Sequence, residues 1–124
     1  MELRAHTTLP AGVDTPAAAR AFVRDAVPGD GTVVPVEDLT LVVSELVTNA
    51  VVSGSDEIDL QIVVGDAHVL VEVADEAAPT AASLTPLVEE DGHRGLMLVS
   101  RLAHRWGVRR DGSRKVLWAD LATA

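Results

Sequence analysis

Glu45 and Asn49 stand one helical turn apart in the stretch SELVTNAVVSG, an odd pair in so apolar a run. Asn is a mediocre helix former because its amide competes for the backbone. A carboxylate beside Leu and Val is costly unless it has a partner or work to do. On a helical wheel Leu39, Val42, Val43, Leu46, Val47 and Ala50 form one wide apolar arc. Glu45 and Asn49 fall just off its edge and share a line, flanked by Leu41, Thr48 and Val52. Glu37, Thr40 and Ser44 fall opposite, as an ordinary wet face. The pair therefore belongs at the boundary of core and solvent, where the wall of a cleft would lie. The plainer reading is a solvated Glu45 and a merely tolerated Asn49.

Two further stretches could do chemistry. Asp75 closes the apolar strand VLVEVAD, and a carboxylate at a strand's end is commonly just a turn former. In DGHRGLMLV, Gly92 and Gly95 bracket the basic pair His93–Arg94 and lead straight into a helical pattern. Small residues before a helix let an anion approach its exposed N–H groups and the positive end of its dipole. The alternative there is a simple flexible turn.

The elements that must position these residues follow from periodicity. DTPAAARAFVRDAV reads as a first helix, with Thr15 placed to cap it and Pro16 suited to its first turn. PGDGTVVP breaks it, and a second helix runs from about Val36 to Val52. EIDLQIVV alternates and HVLVEVA is an apolar strand, with GDA between them as a hairpin turn. From Asp75 to about His93 no clean period appears, and Pro79 and Pro86 interrupt, so the segment reads as a loop with room for a helical turn inside it. Its length and its place between two candidate site segments suggest a lid. RGLMLVSRLA is a third helix; HRWGVRR and RKVLWADL form a last hairpin joined at Asp111-Gly112. A short strand near Leu3 could lead the chain. The order predicts an α+β fold: a two-layer α/β sandwich whose mixed, mostly antiparallel sheet carries helices on one face.

Bulk composition sets the remaining bounds. The 124 residues fit a single domain over 1–124, large enough to bury a core without staples. With 48% apolar residues, disorder is not the default reading. Cysteine is absent, which excludes disulfides and thiolate metal sites. No apolar run is long enough to span a membrane, and the start MELRAHTTLP lacks a signal peptide's apolar run, so a cytoplasmic location is expected. A net charge of −9 argues against nucleic acid as a partner. The positive charges are nine Arg and one Lys, mostly between Arg94 and Lys115, which could make a local cationic site.

Taken together, E-x-x-x-N on a helix, Asp after a strand and a Gly-rich turn before a helix make a specific constellation. In this order the chain resembles the GHKL (Bergerat-fold) ATPase superfamily, in particular its anti-sigma-factor serine/threonine kinase branch, a stand-alone histidine-kinase-like ATP-binding domain. LTLVVSELVTNAV is similar to that branch's N box, and VEVAD with the nearby Pro79 to its adenine box. GHRGLMLVSRLAHRWGV, closed by RKVLWADL, is similar to its phosphate-side box and terminal hairpin. The resemblance implies ATP and Mg²⁺ as cofactors. It implies Glu45 as general base, Asn49 as the ligand of a Mg²⁺ that bridges the phosphates, and Asp75 as acceptor for the adenine amino group. Pro79 would lie by the base, while Gly92, Arg94, Gly95 and Leu96 would line the phosphates. As partners it implies an anti-anti-sigma protein of the STAS type, to be phosphorylated, and a sigma factor, to be sequestered; homodimerisation stays open. One departure stands out: DEAAPTA carries Ala77 and Ala78 where the wider superfamily has glycine. That leaves a second reading, a protein-sequestering module without kinase activity.

Overall fold

The computed structural model describes residues 2–27, 34–52, 54, 56–76 and 93–122; the side chains of 93–96 and 122 lie outside that description. In chain order the elements are β1 (Leu3–Pro10), α1 (Thr15–Ala26), α2 (Val36–Val52), β2 (Glu57–Val64), β3 (His68–Asp75), α3 (His93–Leu102), β4 (Arg105–Asp111) and β5 (Arg114–Ala122). The five strands make one sheet in the order β1-β2-β3-β5-β4. Every neighbouring pair is antiparallel, so the sheet is antiparallel throughout its described strands. The architecture is the expected α+β class. The proposed lid, residues 76–93, lies almost wholly outside the described residues.

The period of two along the strands places the core. Ile58, Leu60 and Ile62 of β2, Val69, Val71 and Val73 of β3, and Leu117, Ala119 and Leu121 of β5 are all buried on one face. On that face lies α2, which packs against β2, β3 and β5 and is flanked by α1 and α3. Its six arc residues, Leu39, Val42, Val43, Leu46, Val47 and Ala50, are each fully buried. The helix is central because its apolar stripe is wide enough to meet sheet and both neighbouring helices at once.

Local expectations were met unevenly. Thr15 does not cap α1 but is its first residue. Its hydroxyl donates to the Pro10 carbonyl at 2.7 Å and accepts from the Gly12 N–H at 2.7 Å, so it ties the helix start to the end of β1. The side of α2 expected to be wet is partly covered by α1. Thr40 is buried and donates to the Val36 carbonyl at 2.6 Å, and Arg20 of α1 donates to the Ser44 hydroxyl at 3.0 Å. The leading strand is not short: β1 runs eight residues along β2. It ends at Pro10, tolerable on an edge strand where one N–H is not needed by the ladder. Gly112, with φ of 65°, gives the β4–β5 turn a left-handed conformation that a Cβ would strain.

Among the described residues no helix covers the sheet's other face, which is strapped by ion pairs that skip a strand. Arg114 of β5 reaches Asp59 of β2 diagonally across β3, past Ala74, which is the register partner of Asp59. Arg109 of β4 likewise pairs with Glu72 of β3 across β5. Thr8 of β1 donates to Asp59 at 2.6 Å. Burial alone would raise the Asp59 pKa, but the hydrogen bonds from Thr8 and Arg114 and the charges of Arg114 and His6 outweigh it and hold the carboxyl below its ordinary 3.8.

Candidate functional site

Glu45 and Asn49 lie where the wheel put them, on the border of α2, each half-buried. Beside them the helix surface opens to solvent at Thr48 and Val52, and Leu41 is 39% exposed. The helix dips its apolar arc into β3, and β3 ends at Asp75. Asp75 continues the inward row of Val69, Val71 and Val73, and is fully buried. A turn-forming aspartate would be solvated; this one is held in the core, so its carboxylate needs compensation.

Lys115 supplies it. In the β3–β5 register Lys115 is the direct partner of Asp75, on the same inward face, and is only 1% exposed. Its Nζ lies 3.9 Å from Asp75 Oδ2, an ion-pair distance beyond direct hydrogen-bond reach. Burial pulls the Lys115 pKa down from the usual 10.5; the Asp75 charge works against that, and Arg110, its register partner on β4, adds to it. Sequence reasoning missed this residue, although a signal existed. Lys115 is the sole lysine of the chain and stands in phase with Leu117, Ala119 and Leu121, where only apolar residues belong.

Of the remaining expected positions, Arg94, Gly95 and Leu96 form the first turn of α3, the helix that packs beside α2. An anion at that terminus would meet free N–H groups. The side chains of these three, and all of Pro79 and Gly92, lie outside the described residues. Among the described residues no group of three or more His, Asp and Glu is placed to hold a metal ion. Nor is any described helix long and apolar enough to cross a membrane.

A two-layer α+β unit with an antiparallel sheet, a central helix bearing a carboxylate–amide pair and a buried strand-end aspartate defines a recognisable class. The family model of the histidine kinase-like ATPase domain matches residues 9–121. The chain belongs to that family. Its fold is similar to that in the crystal structure of the RsbU and RsbW domains of Rv1364c from Mycobacterium tuberculosis, with a TM-score of 0.69 and 19% identity. The match covers 96% of this chain and 32% of that one, so this chain spans about a third of that length. At such identity the likeness is one of fold. A search of curated proteins found no match.

Proposed function

We propose that this chain binds ATP with Mg²⁺ and acts as an anti-sigma-factor serine/threonine kinase, phosphorylating an anti-anti-sigma protein and sequestering a sigma factor. The observation that supports it best is the placement of Glu45 and Asn49, half-buried on the helix that packs over β3, whose last residue is the buried Asp75. The donor chemistry fits an adenine nucleotide: a shielded carboxylate for an amino group, an amide oxygen for a hard cation and a helix N-terminus for phosphates. When bound, Mg-ATP supplies the transferable phosphoryl group, and the protein's task is positioning and charge control.

Within that reading Glu45 accepts the proton of the incoming serine or threonine hydroxyl. Asn49 would hold Mg²⁺ through its amide oxygen, a hard ligand suited to that cation. Asp75 would accept from the adenine amino group, and Pro79 is proposed to serve the same end of the nucleotide. Gly92 and the first turn of α3, with Arg94, Gly95 and Leu96, answer the phosphate charge. The test is incubation with labelled ATP, Mg²⁺ and candidate anti-anti-sigma proteins, with Glu45→Ala in parallel. Label should pass to a serine or threonine of the partner, and Glu45→Ala should lower transfer by about 10²–10⁴-fold while nucleotide affinity stays near wild type. Equal transfer by Glu45→Ala would remove the proposed base.

Ala77 and Ala78, where glycine is usual in the wider superfamily, favour the second reading. Under it the chain holds its protein partner without transferring phosphate, and the assay shows complex formation with no label on the partner.

A further inference from the structure

A buried carboxylate–ammonium pair is seldom worth its desolvation. Apolar residues of the same volume usually stabilise a core as well or better. Here the pair sits in a row across the sheet, Ile58–Asp75–Lys115–Arg110, at the end of β3, and its two charged atoms are 3.9 Å apart. Asp75 offers an acceptor and Lys115 a donor, side by side on the inward face. A base edge that met one would lie within reach of the other, 3.9 Å away.

We propose that Lys115 is a base-reading residue: its ammonium donates to the adenine ring nitrogen N1 while Asp75 accepts from the neighbouring amino group. This rests on the reading of the site as an adenine nucleotide site. An acceptor beside a donor on the ligand is matched by a donor beside an acceptor on the protein, the logic by which Watson–Crick edges are read. Shielding from water strengthens both contacts. The lowered pKa of Lys115 reflects its burial, which the Asp75 charge offsets only in part.

The test compares ADP with 1-deaza-ADP, which keeps the amino group but has C–H in place of N1, by calorimetric titration of wild type and Lys115→Met. No phosphoryl transfer is involved. Wild type should bind 1-deaza-ADP about ten- to a hundredfold more weakly than ADP, the loss of one charge-assisted hydrogen bond. Lys115→Met should bind both equally. Because Lys115 is the sole lysine, its ε-methylene NMR signal gives a second readout that needs only wild-type protein. That signal should move much further on ADP binding than on 1-deaza-ADP binding. Equal affinity of wild type for the two ligands overturns the inference while leaving the nucleotide site intact. So does a preference for ADP that survives in Lys115→Met, since a merely structural counter-ion would behave that way. Failure of wild type to bind ADP at all overturns the proposed function and this inference together.

Discussion

Lys115 shows what a single side chain can hide from a one-dimensional reading. Asp75 is legible as a strand-end carboxylate, but its burial is not, because burial depends on the β5 strand some forty residues later. The lysine could have been flagged by its phase among apolar residues, yet its partner is set by register, which no local pattern states. Its environment carries a measurable consequence. With the folded pKa below the ordinary 10.5, the unfolded state holds one more proton in the window between them. Stability from this group therefore rises with pH across that window and is lost as pH falls through the folded value. An NMR titration of the sole lysine should show a folded midpoint below 10.5 and an unfolded one near it. A folded midpoint at or above 10.5 would mean that attraction to Asp75 outweighs burial.

Elements differ in how legible they are in the sequence, according to how much of each depends on its neighbours. The second helix was placed at Val36–Val52 because its apolar arc is continuous over the whole span. The edge strand β1 leaves only a faint trace in the sequence because it is half exposed and its outward residues, Arg4, His6 and Thr8, give a weak alternation. The covered side of α2 was misread because Thr40 and Ser44 look polar, whereas their hydroxyls are satisfied by the Val36 carbonyl and by Arg20. Glu45 and Asn49, by contrast, were placed correctly at the border from spacing alone. The same helix supplies an internal control. Leu46→Ala, at a fully buried position between sheet and helices, should cost about 2–5 kcal/mol by lost transfer energy and cavity formation. Leu41→Ala, at a 39% exposed position on the solvent-side flank, should cost about 1 kcal/mol or less. Urea unfolding of both variants decides it; equal losses would mean that Leu41 is covered in solution.

At the scale of the molecule, the central question is whether the acidic chain accepts a tetra-anionic ligand. A net charge of −9 opposes the approach of ATP, and the cations are gathered in the C-terminal third that includes α3 and the β4–β5 hairpin. Long-range repulsion is screened beyond about 8 Å at physiological salt, so local groups and the bound Mg²⁺ decide the matter. A ligand that binds only the folded state stabilises it by mass action, roughly 2.7 kcal/mol at about 100 times its dissociation constant. In a domain of 124 residues that corresponds to a rise in melting temperature of about 8–14 °C. Mg-ATP should produce such a shift in differential scanning fluorimetry, and ATP with excess chelator much less, because the uncompensated phosphates then meet an acidic protein. GTP should also do less: its keto oxygen at C6 faces Asp75 where adenine presents an amino group, so a charged acceptor meets another acceptor. The order Mg-ATP, then Mg-GTP, then chelated ATP separates base reading from charge compensation in one measurement. A melting curve unmoved by millimolar Mg-ATP would exclude nucleotide binding, and equal shifts with ATP and GTP would exclude Asp75 as the reader of the amino group.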